Sequence, residues 1–101
     1  MTPDNNWQDQ DWVGFENWLR DQLHRHIVRI TFRKNDGSIR EMNCTLKGET
    51  VQPLIEQRYG DREMKPRRGT NLVVWDLDNN DWRSFVTKRI ISVDILEEVG
   101  T

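Results

Sequence analysis

Cysteine is almost missing from this chain of 101 residues: Cys44 is the only one, so no internal disulfide can form and a reducing, cytoplasmic setting is expected. No apolar run approaches the roughly 20 residues of a membrane helix. The start, MTPDNNWQDQ, has neither the basic opening nor the apolar stretch of a signal peptide. Catalytic equipment is equally sparse. Ser38, Ser84 and Ser92 are the only serines, and none sits in a nucleophile-elbow context. His24 and His26 lie two apart on a helical segment, which points their rings away from each other, and Arg25 between them repels a cation. The run DLDNND, residues 76–81, superficially resembles a calcium loop but lacks its glycine and its distal glutamate. Asp76 and Asp78 read as ordinary turn residues. No enzyme, no metal site and no cofactor is expected.

What is present is charge and tryptophan. The chain is 35% hydrophobic and 32% charged, which predicts one soluble domain around a small core. Net charge is −2, but it is unevenly spread. Residues 1–22 hold Asp4, Asp9, Asp11, Glu16 and Asp21 against Arg20 alone, and the rest of the chain is mildly basic.

The polar segment 1–9 reads as a flexible tail, and 10–101 as a single domain. Trp12, Phe15, Leu19 and Leu23 recur at steps of 3, 4 and 4, one stripe of an amphipathic helix over about 10–26, with Asp9 or Asp11 as its cap. The period then changes to two. Val28, Ile30 and Phe32 alternate with Arg29, Thr31 and Arg33 on a half-buried strand. Asp36-Gly37 marks a hairpin turn, and the return strand 39–46 places Met42, Cys44 and Leu46 on one face. Lys47-Gly48-Glu49 reads as a break, followed by one or two helical turns within Thr50–Gln57. The charged segment 59–70 reads as a loop. Three further strands are expected at about 71–77, 81–87 and 90–97. These elements describe an α+β, mainly β fold: a small five-stranded SH3-like or Sm-like barrel preceded by one amphipathic N-terminal helix. Five strands also fit an OB-fold, but the very short last two connections favour the SH3-like order.

Two sets of basic residues are candidates for anion binding. Arg62, Lys65, Arg67 and Arg68 crowd one loop, where they either grip phosphates or are merely solvated. Arg83, Lys88 and Arg89 flank the last two strands, with Trp75 and Trp82 nearby. Arginine beside an aromatic face supplies charge, a bidentate fork and a stacking platform, which suits nucleobases and nucleotides. The competing reading pairs these arginines with Asp76, Asp78 or Asp94. Parity sharpens the case of Arg83: it shares a strand face with the inward-pointing Phe85, so at the barrel rim it must find an anion, from the protein or from a ligand. Of the five tryptophans, Trp75 in the run LVVW is the best core candidate and Trp12 docks the helix. Trp7, Trp18 and Trp82 exceed what so small a core needs. Trp82 is a candidate stacking platform, and Trp7 and Trp18 are candidate anchors for a protein partner.

The run Trp75-Asp76-Leu77, then Arg83-Ser84-Phe85, then Arg89-Ile90, resembles the WYL domain, a small SH3-like β-barrel of bacterial transcriptional regulators. The hairpin ITFRKNDGSIREMNCTL, with Gly37 at its turn and Arg40 beyond it, is similar to that family's opening hairpin. The chain resembles most the short stand-alone WYL-like proteins of tailed bacteriophages, over roughly Ile27 to Leu96. The resemblance implies a ligand-sensing or nucleic-acid-binding module, with Arg83 and Arg89 at the anion site and Trp75 as its structural floor. It departs from the family pattern at Asp76, where the motif has tyrosine, and at Val86, where it has arginine. The expected function is recognition of single-stranded nucleic acid or a nucleotide-like anion. The alternative is a phage-encoded protein-interaction module that modulates a host complex, acting in the host cytoplasm through the acidic, Trp-rich N-terminal segment.

Overall fold

The computed structural model describes residues 1–4, 6–60 and 72–96. Helix α1 spans Asp9–Arg25 and buries Phe15, Leu19 and Leu23, the stripe that the spacing predicts. Its start is secured from inside the first turn: the Gln8 N–H donates to Asp11 Oδ2 at 2.8 Å. At its other end His24 and Arg25 lie at the negative pole of the helix dipole, and the His26 N–H donates to the Gln22 carbonyl.

Strand β1, Ile27–Arg33, and strand β2, Ile39–Thr45, form the expected hairpin, in the register Val28↔Cys44, Ile30↔Met42 and Phe32↔Arg40. Gly37 takes φ +88° at the turn, a value that L side chains rarely adopt. Asp36 Oδ1 accepts from both the hydroxyl and the N–H of Ser38, and these bonds, the hydroxyl first, hold the Asp36 carboxyl below its ordinary range.

Helix α2 is longer than the sequence suggested. It runs Gly48–Tyr59, so Gly48 and Glu49 open the helix instead of breaking the chain, and Lys47 accepts from the N–H groups of Thr50 and Val51. Pro53 is therefore interior. The carbonyl that it leaves without a donor belongs to Glu49, an exposed residue in the first turn, where water can serve it. The C-terminal end of α2 is tied down by Tyr59, whose hydroxyl donates to Asp81 Oδ1, and by Arg58, 3.3 Å from Asp81 Oδ2.

Strands β3, Leu72–Asp76, and β4, Asp81–Phe85, are joined by a turn in which Asn80 adopts φ +54°. A 3₁₀ turn, Thr87–Arg89, then leads into β5, Ile90–Leu96. The five strands make one sheet in the order β4-β3-β2-β1-β5, with every neighbouring pair antiparallel. Consecutive strands as antiparallel neighbours, with β5 returning to β1, are the SH3-like order, not that of an OB-fold. A bulge between Thr31 and Phe32 bends β1 against β5.

The sheet curls around Leu19, Leu23, Ile30, Met42, Val74 and Val93, all at 1% exposure or less. Helix α1 is clamped at its C-terminal end and near its middle. The Leu46 N–H and the Thr45 hydroxyl reach the Leu23 carbonyl at its C-terminal end, and Thr87 Oγ1 donates to Glu16 Oε1 at 2.6 Å nearer its start. The segment before α1 lies against the body, with the Met1 backbone paired to Val93 on β5 through two hydrogen bonds.

A candidate anion-binding groove

Phe32 on β1 and Phe85 on β4 stack with ring centroids 5.7 Å apart and planes 18° from parallel. Over this pair opens a groove of about 480 Å³ between the β1–β2 hairpin on one side and β4 with the 3₁₀ turn on the other. Five cationic side chains line it: Arg33, Lys34, Arg40, Arg83 and Arg89. The one carboxylate among the lining residues is Asp36, which is already engaged by Ser38. Arg33 donates to the Gly37 carbonyl at 3.1 Å, and so holds the hairpin tip. Among the described residues, Arg40 and Arg89 have no ion-pair partner, while Lys34 acts on the Asp36 carboxylate through its charge without a close ion pair. A groove so lined carries uncompensated positive charge and attracts anions.

Arg83 points to the inner side, as its parity with Phe85 requires: Leu72↔Phe85 and Val74↔Arg83 are cross-strand pairs on one sheet face. The carboxylate it meets is Asp76. Asp76 is fully buried, and Arg83 Nε lies 3.6 Å from its Oδ2. That carboxylate also organises the β3–β4 turn. Its Oδ1 accepts from the N–H groups of Asp78 and Asn79 at 2.9 and 3.1 Å, and its Oδ2 accepts from the Asn79 side chain at 2.7 Å. Asp78 in turn accepts from the Asn43 N–H at 3.0 Å and so holds the turn against β2.

The structure thus brings together Arg83 and Arg89 of the residues singled out in the sequence, and sends others elsewhere. Lys88 turns the opposite way, 3.0 Å from Asp9 on α1, beside a second hollow lined by Trp12, Val13, Glu16 and Val86. Trp75 is fully buried, and Trp82 packs edge-on against it at 5.2 Å; as immediate strand neighbours of Asp76 and Arg83, both rings belong to the other sheet face. Trp7 packs against Trp12 and Phe15, and Trp18 stacks on Phe15, so both are half-buried parts of the α1 aromatic cluster. Arg62, Lys65, Arg67 and Arg68 lie outside the described residues.

Arg33, Lys34 and Arg40 were not singled out as ligand-binding residues in the sequence. For Arg40 the signal was present: it shares strand parity with Met42 and Cys44 and stands opposite Phe32 at the open end of β2, as Arg83 does on β4. For Arg33 and Lys34 the signal was weak, because strand-end cations beside a turn are usually only solvated.

No group of three or more potential metal ligands occurs among the described residues, and no helix among them is long and apolar enough to cross a membrane. No curated protein and no solved structure matches the chain. A protein-family model, WYL_2, described as an Sm-like SH3 beta-barrel fold, matches residues 17–91. The matched span takes in the second half of α1, which the resemblance read from the strands had left out. Sm-like folds of this size are small binding or regulatory domains, typically non-catalytic, that engage nucleic acid or protein. The matched span covers most of the chain, together with the five-stranded sheet, and on these grounds the protein belongs to the WYL_2 family of Sm-like SH3 β-barrels.

Proposed function

We propose that the groove binds single-stranded nucleic acid or a nucleotide-like anion through its phosphate groups, and that the protein is a non-enzymatic regulatory module of the cytoplasm. One observation carries this reading: five cations from two separate parts of the chain converge on one groove with a single, already engaged carboxylate among them. Folding has to overcome the mutual repulsion of these charges, and a polyanion relieves it. Trp82 belongs to the other sheet face, so affinity comes from phosphate contacts more than from base stacking.

The test is fluorescence anisotropy of labelled single-stranded DNA, single-stranded RNA, duplex DNA and a labelled nucleotide at two salt concentrations. Expected is binding of single strands or nucleotide that weakens steeply with salt. Salt-independent binding, or none at low salt, counts against the groove.

The second reading, a protein-interaction module encoded by a phage and directed at a host complex, rests on a different face. Val13 and Val86 are 59% and 41% exposed around the hollow that Trp12 lines, with Asp9 and Glu16 at its edge. With Asp9 already paired to Lys88 and Glu16 to Arg20, the surface offers chiefly its apolar side chains and suits a partner with an apolar tip. Deleting residues 1–22 cannot test this, because α1 supplies Phe15 and Leu19 to the core. A Val13→Asp substitution leaves the core intact, and a genuine partner should be lost with it.

A further inference from the structure

Arg83 differs from the other groove cations in how it is held. Its Nε atom is buried and has no hydrogen-bond partner, while 41% of the side chain remains exposed and lines the groove. The Asp76 carboxylate faces that Nε at 3.6 Å, and Asp76 cannot swing away. It is fully buried, and two backbone N–H groups and the Asn79 amide fix both its oxygens. The β3–β4 turn therefore sets the position of a carboxylate, and the carboxylate stands behind an arginine whose far end faces solvent.

Resting on the groove reading above, we propose that Asp76 is a positioning residue: it anchors Arg83 at Nε and turns the two terminal nitrogens outward as a bidentate fork for the oxygens of one phosphoryl group. The fork geometry is what separates arginine from lysine at such a place. Arg40, Arg89 and Lys34 supply the surrounding positive field without comparable anchoring, so the ligand is gripped at Arg83 and steered by the rest. The shared chemistry is a phosphate ester, either of a nucleic-acid backbone or of a free nucleotide.

Charge alone and positioning predict opposite results for Asp76→Asn. Removing a negative charge behind a cationic groove should strengthen anion binding if only the field matters. If Asp76 positions Arg83, affinity instead falls, by about tenfold, although the protein has lost a repulsive charge. The experiment measures Asp76→Asn, Arg83→Ala, the double variant, Arg83→Lys and Arg40→Ala against a labelled oligothymidylate and a labelled nucleotide, with circular dichroism to confirm folding. Expected are a loss in Asp76→Asn, no further loss when it is added to Arg83→Ala, and a loss in Arg83→Lys with its salt dependence retained. The tighter of the two probes identifies the ligand source. Binding by Asp76→Asn as tight as wild type, or additive losses in the double variant, overturns the positioning role. If Asp76→Asn does not fold, Arg83→Lys decides: wild-type affinity there overturns the fork. Failure of the wild-type protein to bind either probe at low salt overturns the groove reading and this proposal with it. A loss in Arg40→Ala with none in Asp76→Asn overturns this proposal alone.

Discussion

Phe32 and Phe85 stack face to face, although β2 and β3 lie between their strands in the sheet. Such a contact exists only because the sheet curls until β1 and β4 face each other across the inner side. The same curl brings the cations of the β1–β2 hairpin opposite Arg83 and Arg89. The aromatic pair is therefore both the floor of the groove and the contact that sets its width.

Replacing Phe32 with alanine should cost about 2–3 kcal/mol of stability, less than the ~3–5 kcal/mol of a fully buried phenylalanine because the ring is only half-buried. Anion affinity should fall as well, since the hairpin loses its rest against β4. Urea melts together with oligonucleotide titration check both. A stability loss with unchanged affinity would show that the pair does not shape the groove.

The groove cations should be separable from the cation that the fold diverts. Arg40→Ala and Arg89→Ala should each weaken single-strand binding and lower the slope of log affinity against log salt by about 0.7. Lys88→Ala should change neither, because Lys88 is paired with Asp9 on the α1 side. Equal effects from all three would mean that binding follows overall charge and not this groove.

Burial pushes the Cys44 thiol up to about 12, with the negative charges of Asp76 and Asp78 adding to the shift. The folded protein should therefore hold Cys44 as an inert neutral thiol, unreactive toward alkylating reagents at pH 8 until denaturant is added. Because the folded value lies above the ordinary value of 9.0, the associated stability is complete below pH 9. It is lost as pH rises from there toward 12, by about 1.4 kcal/mol per unit. Comparing urea midpoints of wild type and Cys44→Ala at pH 7.5 and pH 10 isolates this contribution; a difference that does not change with pH would contradict it.

Local pattern determined much of this protein. The 3, 4, 4 spacing of Trp12, Phe15, Leu19 and Leu23 and the alternation through Val28–Phe32 and Met42–Cys44 were enough for α1 and the first hairpin, because backbone period and burial agree there. Asp36-Gly37 marked the first turn by its chemistry, and the parity of Arg83 with Phe85 put its side chain on the inner face. The extent of α2 was hidden, since Gly48 and Pro53 look like breakers when read singly. Which anion Arg83 meets was decided only by tertiary structure. Asp76 pairs with Asp81 in the β3–β4 register, so Arg83 is its diagonal neighbour on the same face, and it is this pairing that selects Asp76 among the candidate carboxylates. The same holds for the groove as a whole. Arg33, Lys34 and Arg40 are about fifty residues from Arg83 and Arg89 along the chain, and a sequence window cannot see across that gap. Only the curvature that stacks Phe32 on Phe85 brings the two sets together.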